Sequence, residues 1–401
     1  AEARGREKAA QKAAAAKKAR AEEQARAAKK AAQAAIADAW QSDAPPAQSS
    51  MGDVLDLDDI HVEFAPDLVD MVLDPGTGLD ARIANMRRYV ATSFGVLLPE
   101  IRLTDNASLP PGTYVVHVQG VEQVRDSLRS DQILALISEN DSSDVPGDVV
   151  EEPVYGAPAK WISADNQEVA AIAGLTTVQP AEVLATHLLE VVKRNFPRLL
   201  TFKALRRRLE EMVNLSDASR SEANRKMLDE LIPDKIPFDL LLAVLRLLLE
   251  ERVSIRNLPL IIEAAAEGRQ LHGSADGITE HVRQRLGFQL VAEMRRKDGT
   301  IPLVQLAPEW EETFATYEIR TDRGGGDVAL PPESFNLLAD GIAAKLGQAA
   351  NAGAYAAVVT SMRRRRFLRT VMAAKGIMNP VLSFEEIGID ARPALVGLVP
   401  L

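Results

Sequence analysis

Residues 80–118, DARIANMRRYVATSFGVLLPEIRLTDNASLPPGTYVVHV, decide the fold of this chain. Ile83, Met86, Val90 and Phe94 recur at three- and four-residue spacing, which places them on one face of a helix that Gly95 stops. The pattern then changes period. Strands are expected over 101–103 and 112–118, where β-branched and aromatic residues dominate and Pro110-Pro111 supplies the turn between them. A helix followed by short strands defines an α/β module, and the globular pattern begins near Val54.

Downstream the helical period takes over. Pro180 suits the first turn of a helix whose Val183, Leu184, Leu188, Val191 and Val192 form an apolar stripe ending near Pro197. The polar stretch 216–225 is read as a separator between two further helices. The run 238–249, FDLLLAVLRLLL, is apolar on nearly every face and so belongs to a helix packed from several sides. Asn257 is the expected N-cap of a helix over 258–266. A strand is expected over 301–306, a long helix over 333–349, then strand, helix and strand over 355–360, 363–374 and 381–384.

Composition narrows the function. The chain has 401 residues, no cysteine and only 4% aromatic residues, so the core is aliphatic, while disulfides, thiolate metal sites and a cysteine nucleophile are excluded. No uncharged apolar run reaches the ~18 residues a membrane span needs. The net charge is −10, yet residues 1–30 carry ten Lys/Arg against four Glu. An acidic body behind a basic, Ala-rich segment repels polyanions and makes nucleic acid an unsuitable partner for the folded part. Residues 1–53 are read as a flexible helical or disordered tether, with Pro/Ser-rich linker over 40–50. A chain that begins at Ala1 suggests a fragment or a processed product.

Catalytic signatures are missing. The segment 268–274, GRQLHGS, has phosphate-loop glycine spacing but lacks the lysine, and Gly76-Thr77-Gly78 is an ordinary turn. His61, His117, His187, His272 and His281 form no HExxH motif and no close pair in sequence, so neither a metal nor a cofactor is expected. His187 and His117 are read as satisfied structural histidines. Arg363–Arg366 is read as a solvated helix start or a protein contact, and Arg323 to Gly326 as a loop between modules.

The linear pattern over 82–106, RIANMRRYVATSFGVLLPEIRLTDN, resembles the opening of the cytoplasmic domain in the flagellar and virulence type III export gate family, FHIPEP. Four further blocks agree in order: 153–162 (PVYGAPAKWI), 174–188 (GLTTVQPAEVLATHL), 228–233 with 244–262 (LDELIP, VLRLLLEERVSIRNLPLII) and 381–399 (VLSFEEIGIDARPALVGLV). The resemblance implies a mixed α/β body of four small modules: 54–178 completed by 233–252, 179–232, 253–330 and 331–401. It also implies a non-enzymatic platform at the cytoplasmic face of the bacterial inner membrane, with a membrane-spanning half before Ala1. Its implied partners are eight further copies in a ring of nine, flagellar export chaperones carrying late substrates, the export ATPase complex and other export-apparatus components.

By local alignment the family's chaperone-docking dimple falls on Phe196, Pro197, Leu200 and Asp239. The sequence departs from the family at three of them, where the flagellar pattern has an acidic residue, Phe and Thr. Phe196 and Leu200 equally suit a core. Arg87 and Arg88 align with a basic cluster of the ring and lie off the apolar stripe; Asp53, Asp56 or Asp58 are the acidic neighbours they are expected to meet. A flagellar gate is favoured over a virulence injectisome by the 95–106 and 381–387 blocks. From a different class, a basic-tethered scaffold for nucleic acid or membrane surface needs basic surface, which is confined to the tether and Arg363–Arg366.

Overall fold

The first long helix ends where glycine is required. Gly95 adopts φ 74°, and a Cβ there would stand 2.5 Å from the backbone of Arg256; the Gly95 carbonyl accepts a 3.1 Å bond from Arg208 Nε. The computed structural model describes residues 57–137, 145–320, 326–388 and 391–401. The expected tether, Asp53 and Asp56, residues 138–144 of the acidic loop and the Arg323–Gly325 part of the later loop lie outside them. Within Asp58–Leu401, a single compact unit, three four-stranded sheets, a two-stranded ribbon and fourteen helices are described.

The first sheet has the order β2-β1-β3-β4, built from β1 (Ile60–Phe64), β2 (Ile101–Asp105), β3 (Thr113–Val118) and β4 (Val121–Ser127). β1 runs parallel to β2 and antiparallel to β3. The β3–β4 hairpin turns through Gln119 and Gly120, both at positive φ, the backbone that a tight hairpin demands. α1 (Val69–Val72) and α2 (Leu79–Phe94) cover one face with Leu79, Ile83, Met86 and Val90 buried. The second sheet, β6-β7-β5-β8, is antiparallel throughout and comprises β5 (Gln132–Leu136), β6 (Asp148–Glu151), β7 (Pro158–Ser163) and β8 (Thr176–Val178). α3 (Gln167–Ile172) lies beside it.

A helical layer follows: α4 (Pro180–Arg194), α5 (Phe196–Leu199), α6 (Phe202–Val213), α7 (Ala218–Leu231), α8 (Phe238–Glu250), α9 (Leu258–Leu271), α10 (Ala275–Arg285) and α11 (Gly287–Met294). As the apolar run requires, α8 buries six residues and packs on α5, α6, α9 and α10. Two expectations are corrected here. The polar stretch 216–225 does not separate helices; it opens α7, whose N-terminus Asp217 caps by accepting bonds from the Ser219 and Arg220 amides at 3.0 and 3.2 Å. Asn257 stands at the N-cap position of α9, but its side chain makes no capping bond.

The third sheet, β13-β12-β9-β14, is parallel throughout. Its strands are β9 (Thr300–Leu306), β12 (Ala357–Thr360), β13 (Val381–Ser383) and β14 (Arg392–Val399). Between β9 and β12 run α12 (Glu309–Thr316), the ribbon of β10 (Glu318–Arg320) and β11 (Gly326–Val328), and α13 (Pro332–Asn351); α14 (Met362–Ala374) joins β12 to β13. β9 precedes residue 331 in sequence yet occupies the centre of the C-terminal sheet. Its side chains alternate as a strand buried on both faces must: Ile301 and Leu303 join the large core shared with the helical layer, Val304 and Leu306 the core beneath α13 and α14.

Candidate functional site

Of the residues expected to form a docking dimple, Phe196 and Pro197 open α5, Leu200 ends it, and Asp239 lies in the first turn of α8. Asn195 ends α4, and the chain re-enters helix at once as α5, whose Phe196 ring sits 5.0 Å from that of Phe94 in the core. Leu200 leaves the helical conformation, and its carbonyl accepts a 3.0 Å bond from Arg246 Nε on α8. Thr201 then caps α6 by accepting from the Ala204 amide at 3.1 Å. Phe196 is 0% exposed and Leu200 2%, so both belong to the core, Pro197 is half-buried, and Asp239 is exposed in the first turn of α8. A partner touching this region meets Pro197 and Asp239 directly; Phe196 and Leu200 shape the backbone beneath.

Two aromatic residues complete the surface. Phe202 is 49% exposed and packs against Phe238 with ring centroids 4.2 Å apart and a 39° tilt between the rings, and the Arg206 guanidinium lies 6.0 Å from the Phe202 centroid. Sequence reasoning missed them. Phe202 shares the three- and four-residue spacing of the buried Leu205, Leu209 and Met212, so periodicity assigns it to the core. On the first turn of α6 its ring reaches only Phe238 at the start of α8 and stays partly in solvent.

Arg87 and Arg88 are exposed on α2, as expected. Arg87 donates 3.2 Å to the Pro99 carbonyl, whereas Asp58 pairs with Arg102 at 3.1 Å and with neither of the two arginines.

The arginine run is not a solvated helix start. Arg364 and Arg365 are 1% and 0% exposed. Arg365 holds Glu251 at the end of α8 at 2.5 Å and also Glu280 of α10, while Arg283 of α10 bonds Glu386 at 2.7 Å and pairs with Glu251 at 3.3 Å. Arg364 bonds Glu311 at 2.9 Å and Glu318 at 3.3 Å. Burial pushes the Glu251 carboxyl up, but Arg283 and Arg365 outweigh it and hold it below the usual range. Burial likewise opposes the Arg365 charge, and its bonds to Glu280 and Glu251 prevail and raise its pKa. The network joins α8, α10 and α14 and presents few free donors, so a polyanion finds little to bind there. Arg363 and Arg366 are more exposed, paired with Glu318 and Asp276.

The histidines divide. His187 is satisfied, as expected: its Nδ1 lies 2.6 Å from Tyr114 Oη in the core, and burial keeps its pKa low. His117 is not, since its Nδ1 is buried without a hydrogen-bond partner, and the β1/β3 register sets it opposite His61 with rings 5.9 Å apart. The absence of a close pair holds for the sequence and fails for the sheet.

This architecture matches solved type III secretion proteins. It overlays the Chlamydia pneumoniae CdsV protein with a TM-score of 0.72 at 23% identity, covering 86% of this chain and 98% of that one. The nonameric EPEC SctV-C aligns at 0.66 and 17% identity, over 86% of this chain and 98% of the other. The fold is therefore shared with these two proteins. The FHIPEP family model matches residues 4–392, and the chain belongs to that family. Relatives include the flagellar biosynthesis protein FlhA of Caulobacter vibrioides, 32% identical over 88% of this chain and 49% of that protein. FlhA of Bacillus subtilis is 27% identical over 88% of this chain and 51% of its own length. The chain thus spans about half the length of these relatives. Among the described residues no helix is long and apolar enough to cross a membrane.

Proposed function

We propose that this chain is the platform of a flagellar type III protein export gate at the cytoplasmic face of the bacterial inner membrane. In this reading it catalyses no reaction, docks chaperones loaded with export substrates, and hands the substrates to a channel formed by the remainder of the protein. The observation that carries the proposal is the family match across residues 4–392. Every curated relative reported above is a flagellar protein, which favours the flagellar over the injectisome branch. A ring of nine is proposed by extension from the nonameric SctV-C, with the exposed Arg87 and Arg88 at its subunit contacts and residues 1–53 as its tether. A complex is known for CdsV with CdsO, and by analogy we assign this platform contacts with other components of the export apparatus, its ATPase complex included.

We place docking, as part of this proposal, at Phe202, Phe238, Pro197 and Asp239. A tilted, partly exposed aromatic pair beside a carboxylate supplies the rigid apolar anchor and polar rim from which protein contacts draw most of their affinity. Calorimetry of the chain with a flagellar export chaperone, empty and substrate-loaded, tests the reading. The loaded chaperone is expected to bind, and Phe202→Ala to weaken it by roughly 30-fold, the size of an interface hot spot. Undiminished binding by the variant removes the docking site; no binding by wild type removes chaperone docking itself.

A further inference from the structure

The first sheet has two chemically distinct faces. Ile60, Val62 and Phe64 of β1 point into the core with Val116 and Val118 of β3, so alternation sends His61, Glu63 and His117 to the other face. One donor atom from each of these three lies within 4.8 Å of the others.

The surroundings are those of metal ligands. His61 Nε2 lies 2.7 Å from Thr104 Oγ1; with Nε2–H donating to that hydroxyl, the Nδ1 lone pair faces Glu63 Oε1 at 3.8 Å. Asn106 Nδ2 donates 2.7 Å to Glu63 Oε2, fixing the carboxylate and leaving Oε1 available. Each of these ligands is thus held by a neighbour through the atom it does not offer, the arrangement that orients metal-binding side chains. His117 Nδ1 is one of only two buried side-chain polar atoms without a hydrogen bond among the described residues. A ring nitrogen removed from water and left unpaired costs about 1–3 kcal/mol, a penalty a bound cation would remove. The neighbouring charges are already matched: Arg102, beside His61 in register, pairs with Asp58, and Glu122, opposite His117, pairs with Arg125. The His61 and Glu63 side chains are 23% and 24% exposed, open enough for an ion to enter.

We propose that His61, Glu63 and His117 bind one divalent first-row transition ion, best suited to Zn2+, through two imidazole nitrogens and a carboxylate oxygen, with water completing the coordination. Two nitrogen donors disfavour Mg2+ and Ca2+, which require oxygen ligands. Bond lengths of about 2.0–2.2 Å draw the three side chains together by torsional adjustment within a fixed strand register.

Zinc chloride is titrated calorimetrically into the full chain after chelator treatment, with visible absorption of a cobalt(II) derivative as a second readout and circular dichroism as the check on folding. One saturable ion per chain is expected, with histidine-type cobalt bands. His61→Asn and His117→Asn should each weaken binding at least tenfold, and Thr104→Val by roughly 10- to 100-fold through the lost orienting bond. The double variant His272→Ala/His281→Ala, which removes the other imidazole pair (rings 6.2 Å apart), should bind like wild type. The proposal is overturned if wild type shows no saturable binding, if His61→Asn and His117→Asn retain full affinity, or if the loss follows His272 and His281 instead. Should an Asn variant fail to fold, Thr104→Val with the cobalt spectrum of wild type decides alone.

Discussion

Helices α7 and α8 are neighbours in sequence and nearly equal in length, yet they are held by different forces. α8 buries Leu241, Leu242, Val244, Leu245, Leu248 and Leu249, and Glu251 at its C-terminus is clamped by buried arginines. α7 has no fully buried residue. Met227, Leu228 and Leu231 only lean on the core, and the helix is fastened by its Asp217 cap, by Asn224 Nδ2 donating 2.7 Å to the Met212 carbonyl, and by Ser221 Oγ donating to the Val213 carbonyl. One helix is therefore part of the global cooperative unit. The other is a satellite that opens at lower free energy.

Arg365→Ala should do the most damage, because it strands Glu280 and leaves Glu251 with Arg283 alone in a largely buried setting: about 3–5 kcal/mol in urea unfolding of the whole body. Leu245→Ala follows at about 2–5 kcal/mol from lost burial and the cavity it leaves. If either is mild, α8 is not the keystone described. Acid comes next. Because the folded Glu251 carboxyl titrates below its free value of 4.5, its stabilisation is complete above that value and is lost as pH falls through the folded one. Urea midpoints should therefore fall as the pH drops below about 4.5, and less steeply in Glu251→Gln.

The corresponding changes on α7 are small and local. Asp217→Ala should cost about 1 kcal/mol, seen as faster amide exchange confined to 218–231 with the global midpoint unmoved. Glu222→Gln removes an exposed pair with Lys226 at 2.9 Å and should cost roughly 0.3–0.5 kcal/mol, vanishing at high salt. A global effect of Asp217→Ala would join the two helices into one unit and erase the distinction.

The same contrast explains what could be read from the chain alone. α8 announced itself through the run FDLLLAVLRLLL, since an all-apolar helix leaves a signal in every turn. α7, ASRSEANRKMLDEL, has ordinary helix formers but no apolar stripe, and its one local sign, Asp217, is too common to decide anything alone. The sheets follow this logic. β9 and β13 were legible as apolar runs, whereas β4, VEQVRDS, is a solvent-side edge strand whose composition resembles a loop.

The candidate sites were least legible because they are made of distances. Alignment could group Phe196, Pro197, Leu200 and Asp239, but only packing shows that Phe196 and Leu200 are buried while Asp239 faces outward. His61 and His117 meet because β1 and β3 pair antiparallel, a register no spacing rule records. The burial of Arg364 and Arg365 depends on glutamates drawn from α8, α10, α12 and β10, each unremarkable in its own segment.

The position of β9 has a consequence for synthesis. A ribosome that has just made residues 300–306 has supplied the middle of a sheet whose neighbours, 357–360 and 392–399, do not yet exist. At roughly 5–20 residues per second, that strand waits for several seconds with both hydrogen-bonding edges bare. Vectorial folding must therefore shelter it, and a messenger cut short before the codon for Arg392 would release a product with an adhesive seam in place of a finished sheet.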